Sequence, residues 1–70
     1  STGKRDAALA ALRDADARHP YDLDILSALV AMNREAGKPK AALPYARKLA
    51  EVLPDDTGVQ RLLAELERVN

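Results

Sequence analysis

Residues 23–56 read LDILSALVAMNREAGKPKAALPYARKLAEVLPDD, and this stretch decides the fold. Gly37 and Lys38 divide it into two halves, each with apolar residues at helical spacing. In the first half Ile25, Leu26, Leu29, Val30 and Met32 form one stripe. Asp22 stands before it as an N-cap, Asp24 lies in the first turn where the helix dipole favours an acid, and Gly37 supplies a C-terminal stop. In the second half Ala42, Ala46, Leu49 and Leu53 follow one another at spacings of four, three and four, with Leu43 and Val52 widening the face. Pro54 cannot continue that helix. Two helices are therefore predicted, at about 23–36 and 39–53, joined by a tight turn. Pro44 removes a backbone donor inside the second of them, so a bend is expected between Lys40 and Pro44.

The same signals extend in both directions. Upstream, residues 5–18 are rich in Ala and Leu, place Ala8, Leu12 and Ala15 on one stripe, and are stopped by Pro20. Downstream, Val59, Leu62, Leu63, Leu66 and Val69 make the apolar face of a helix over about 57–69. Its cap is either Asp56 or Thr57, whose spacing to Gln60 fits a capping box. Few β-branched residues and no Phe or Trp complete an all-α reading: four helices in antiparallel helix-turn-helix succession.

An ordinary bundle would also have four helices, so internal repetition is the discriminating test. A shift of 34 residues lays Gly3 on Gly37, Lys4 on Lys38, Ala7 and Ala8 on Ala41 and Ala42, and Leu9 on Leu43. It also lays Arg13 on Arg47, Pro20 on Pro54, Asp22 on Asp56, Leu29 on Leu63 and Arg34 on Arg68. The matches fall where physics asks for a residue type: Gly at a turn, Ala at a close helix approach, Pro after a helix end, Asp as the next N-cap.

With Leu26, Leu29, Gly37, Ala42, Ala46 and Pro54 in order over a 34-residue period, residues 23–56 resemble one complete tetratricopeptide repeat. The resemblance implies a helical solenoid: 1–22 as the second helix of a preceding repeat, 23–56 as a whole repeat, and 57–70 as the first helix of a following repeat or a C-terminal cap. There are departures. Leu26 stands where the family often has Trp, Val30 where it usually has a small residue, and Asn33 where a large aromatic is common. Asn33 is expected to be a hydrogen-bonded, half-buried amide or else a polar contact to a ligand.

Function follows from the surface the resemblance implies. The first helix of each repeat lines a concave face that accepts an extended peptide or a partner's helix. The lining here is Asp24, Ser27, Ala31, Arg34 and Glu35 from residues 23–36, with Arg61, Glu65 and Arg68 from residues 57–69. Arg34 and Arg68 are repeat equivalents and with Arg61 form a candidate basic ladder for a carboxylate-bearing or acidic peptide, since a guanidinium offers a bidentate fork. The bland alternative is a set of solvated surface charges partly neutralised by Glu35 and Glu65. Chaperone-binding members clamp a terminal carboxylate with a Lys and Asn set, which Ser27, Ala28 and Ala31 do not provide.

Composition narrows the alternatives. Eleven basic and eleven acidic residues cancel, removing the broad attraction on which nonspecific nucleic-acid or anionic-membrane binding depends. No apolar run approaches the roughly 20 residues needed to cross a bilayer, so membrane insertion is not expected. There is no Cys, and His19 is alone beside Pro20, so neither a Cys/His dyad nor a His-based metal site is expected. Ser27 has no nucleophile-elbow context, and Asp22 and Asp56 read as helix caps. Gly3-Lys4 and Gly37-Lys38 read as repeated turn residues and lack phosphate-loop spacing. No catalysis, cofactor or metal is expected.

At 70 residues a single core rarely supplies more than about 3–5 kcal/mol of net stability, so support from neighbouring repeats or from a second copy is expected. The chain does not begin with Met, so Ser1 reads as a processed or internal boundary. Residues 5–18 look like an interior element deprived of its partner, and homodimerisation through that end is a further expectation. Two readings remain: a non-catalytic peptide- or protein-binding scaffold, and an oligomerising or accessory segment of a larger bacterial protein.

Overall fold

Each helix starts and stops where the local chemistry dictates. The computed structural model describes residues 2–69, with side chains from Gly3 onward, and contains α1 (Thr2–Arg18), α2 (Leu23–Glu35), α3 (Pro39–Val52) and α4 (Thr57–Arg68). Asp22 caps α2 by accepting the Ile25 N–H on its Oδ1 at 3.0 Å, and Asp56 caps α4 by accepting the Val59 N–H at 2.9 Å. Both caps have extended backbone, with φ/ψ of −68/121 and −77/116 degrees. Asp56 is therefore the working cap of α4, and the Thr57–Gln60 capping box does not form. Gln60 instead donates its amide to the Pro54 carbonyl at 2.7 Å, because the Asp carboxylate already takes the orphan N–H.

The repetition extends from side chains to backbone. In the α1–α2 connection His19 donates to Ala15 O, Asp22 to His19 O and Leu26 to Asp22 O, at 2.9, 3.2 and 3.0 Å. In the α3–α4 connection Leu53 donates to Leu49 O, Asp56 to Leu53 O and Gln60 to Asp56 O, at 2.8, 3.2 and 3.0 Å. Every donor and acceptor is displaced by 34 residues. One difference is Tyr21, whose φ of 71° places it in the left-handed region.

The α2–α3 turn is a Schellman motif. The N–H of Gly37 bonds the Arg34 carbonyl at 3.0 Å, and that of Lys38 bonds the Asn33 carbonyl at 2.8 Å. Gly37 sits at φ 72°, where a side chain would strain the backbone even though a Cβ would touch nothing within 4 Å. Pro39 then opens α3 in the first turn, where its missing N–H costs nothing. Contrary to the repeat reading, Gly3 and Lys4 are not a turn: α1 begins at Thr2 and both are helical. α3 is a single element through Pro44.

Backbone packing is sequential: α1 on α2, α2 on α3, α3 on α4. The main core comprises Leu26 and Val30 of α2, Ala42, Leu43, Ala46 and Leu49 of α3, and Leu66 of α4, with Tyr45, Val59, Leu62 and Leu63 packed against it. Ala42 and Ala46 are wholly buried, and their small side chains let α2 and α3 approach closely. On α1 the expected stripe is only half-buried at Ala8, Leu12 and Ala15. The buried residue there is Leu9, at 2% exposure. Val52 and Val69, expected on apolar faces, are exposed.

Candidate functional site

α2 and α4 both pack on α3 without backbone contact to each other, and the space left between them is a groove of about 270 Å³. Its floor is apolar: Val30 from α2, Leu49 from α3, and Val59 and Leu62 from α4. Ser27, Ala31 and Arg34 form the α2 wall. Asp56 and Gly58 close the other side, and Gly58 is matched to its place because a Cβ there would meet Asp56 Oδ1 at 3.2 Å and crowd the capping carboxylate.

One ion pair ties the two walls together. Arg34 Nη2 donates to Glu65 Oε1 at 3.1 Å, with both side chains about half exposed. A pair this solvated contributes little to stability, about 0–1 kcal/mol, but it links α2 to α4 beside the groove. Beyond it, Arg61, Ala64, Glu65 and Arg68 surround a shallow hollow on α4, and Arg61 and Arg68 make no ion pair among the described residues.

Of the residues expected on the concave face, Ser27, Ala31 and Arg34 thus line one groove, and Glu65 joins it through Arg34. Arg61 and Arg68 lie on the adjoining hollow, and Glu35 shares a recess with Ala31 and Arg34. Asp24 is exposed in the first turn of α2, outside these recesses. The charge pattern is mixed, since Glu65 lies between the arginines on α4 and neutralises Arg34. Comparison with protein-family models, with curated proteins and with solved structures finds no match to this chain.

The sequence reading missed the apolar floor. Val30, Leu49, Val59 and Leu62 were assigned to core faces, which is correct for one side of each residue. The sequence carries no signal for this role, which shows only in the fold: Leu29 is fully buried on α2, while its equivalent Leu63 and neighbours Val59 and Leu62 on α4 are half-buried. No helix among the described residues is long and apolar enough to cross a membrane. His19 is exposed, and no three His, Asp or Glu side chains among the described residues gather to hold an ion.

Proposed function

We propose that this chain is a non-catalytic binding module of the tetratricopeptide type, taking a peptide or protein segment in the groove between α2 and α4. The repeat reading is supported by the 34-residue displacement of caps and turn hydrogen bonds alike. The observation that carries the function is the apolar floor of Val30, Leu49, Val59 and Leu62 beside Arg34, with Arg61 and Arg68 nearby making no ion pair among the described residues. Such a surface suits a segment with one aliphatic side chain followed by acidic residues: the first is desolvated in the groove, the second meets guanidinium groups. The test is fluorescence anisotropy with labelled peptides carrying a Leu followed by Glu residues. Replacing Arg34, Arg61 and Arg68 together by Ala should weaken binding about tenfold or more, the loss expected for charged hydrogen bonds. Affinity unchanged by that replacement would remove the basis of the proposal.

A second reading, as an oligomerising or accessory segment of a larger protein, is favoured by a difference between repeat equivalents. Ala42, Ala46 and Leu49 of α3 are buried beneath α2, while their α1 counterparts Ala8, Leu12 and Ala15 are half-exposed. That face of α1 asks for one more helix. At the opposite end Leu26, Val30 and Asn33 of α2 are buried, while the α4 counterparts Gln60, Ala64 and Glu67 are exposed, so the outer face of α4 is more polar than that of α2. Concentration-dependent association that is insensitive to the arginine changes would select this second reading.

A further inference from the structure

The groove between α2 and α4 carries opposite charges at its two ends. At one end stands the Asp56 carboxylate, exposed at the start of α4. Its Oδ1 accepts the Val59 N–H at 2.9 Å, and it makes no ion pair among the described residues. An ionised carboxylate offers about four acceptor positions, so one cap bond leaves most of it open. Gly58 puts no side chain over it, and a Cβ there would stand 3.2 Å from Oδ1. At the other end is Arg34, whose Nη2 is tied to Glu65 Oε1 at 3.1 Å. That bond uses one of the five guanidinium donors, and the Arg34 side chain stays 43% exposed.

The same bond sets the distance between the two charges. Glu65 lies nine residues beyond Asp56 on α4, so at about 1.5 Å per residue the charged ends are about 13 Å apart. Between them lies the apolar floor of Val30, Leu49, Val59 and Leu62. An extended chain rises about 3.3 Å per residue, so residues i and i+4 are also about 13 Å apart, and residues i, i+2 and i+4 share one face. A helix covers only about 6 Å in four residues, and its diameter of about 10–12 Å does not fit a groove of about 270 Å³. An extended segment therefore delivers three alternate side chains to three different surroundings: an acid, an apolar floor and a guanidinium.

Resting on the peptide-binding reading above, we propose that the groove selects an extended segment in which an aliphatic residue is flanked, two residues away, by Lys or Arg on one side and by Asp or Glu on the other. The aliphatic side chain is desolvated on the floor, the acid meets the open donors of Arg34, and the cation meets Asp56.

Three labelled peptides with blocked ends test this with the whole chain by fluorescence anisotropy. One carries Lys-Thr-Leu-Thr-Glu, the second has Ala in place of Lys, and the third has Lys moved next to Leu, which turns it to the opposite face. The first should bind about two- to fivefold more tightly than the others, the size of one exposed ion pair. Asp56→Asn should abolish that difference, and because Asn caps a helix as well as Asp does, the variant keeps α4 and removes only the charge. Equal binding of all three peptides, or a preference that survives Asp56→Asn, overturns the charge selection and leaves the groove as a peptide site. Binding of none of them overturns both.

Discussion

Asp22 and Asp56 make the same hydrogen bond 34 residues apart, each carboxylate accepting the N–H three residues on, at 3.0 and 2.9 Å. They differ in what they start. Asp22 begins a helix buried on both sides, whereas Asp56 begins the terminal helix and also borders the groove. Replacing either by Ala should cost about 1 kcal/mol, since one orphan N–H loses its partner. In a chain of this size that lowers the melting temperature by about 4–8 °C. Thermal denaturation followed at 222 nm measures both, and a loss well under that range at Asp22 would show that the cap is not used in solution.

The two left-handed residues make a paired prediction. Gly37 has φ 72° with open space around a Cβ, so Gly37→Ala carries the backbone penalty alone, about 1–2 kcal/mol. Tyr21 has φ 71° and already carries that penalty, offset by its ring lying beneath Lys48 at 5.6 Å. Tyr21→Gly removes about 1–2 kcal/mol of strain and about 0.5–1 kcal/mol of ring contact together, so stability should be unchanged or raised by up to about 1.5 kcal/mol. Urea midpoints for the two variants separate the cases. Equal destabilisation would mean that the Tyr21 contact dominates its strain.

Helix positions and caps were legible because they depend on local chemistry: Asp22 and Asp56, Gly37, Pro39 and Pro54 act through bonds made within a few residues. The repeat was legible for the same reason. The fate of residues whose burial depends on a third helix was not. Leu9 and Ala8 are adjacent members of an Ala-rich run, and only the angle at which α1 meets α2 decides that Leu9 is buried. Nor could spacing show the Arg34–Glu65 pair, which crosses between helices that do not touch through their backbones, or the half-satisfied state of Asn33. A sequence reading predicts that a buried amide will be satisfied, and here only its donor side is.

Asn33 gives a stability prediction separate from any ligand. Asn33→Leu removes a buried oxygen without a donor and gives up a side-chain bond to a carbonyl within α2. The adjoining cleft has room for the larger side chain. The net should be a gain of about 1 kcal/mol, because the orphan's desolvation cost exceeds one net hydrogen bond. Chemical denaturation with an unchanged slope would report it. A loss of stability would mean that the Oδ1 is satisfied in solution by a group that the fold can bring to it.

The polarity of the two ends makes the strongest test of the repeat itself. α4 is exposed at Gln60 and Glu67, where α2 buries Leu26 and Asn33, and α1 leaves Ala8, Leu12 and Ala15 half-covered where α3 covers their equivalents. If these are faces of one repeating interface, then Gln60→Leu with Glu67→Leu turns α4 into a helix that seeks the α1 face of another copy. Such a joint is heterologous and does not close on itself, so association should grow into chains and not stop at a dimer. Adding Leu12→Lys to the same variant places a charge at the receiving face and should restore the smaller species. Sedimentation velocity over a wide concentration range reads this directly. Association that stops at a dimer, or that Leu12→Lys does not reverse, would mean that α1 and α4 are not complementary halves of one repeat.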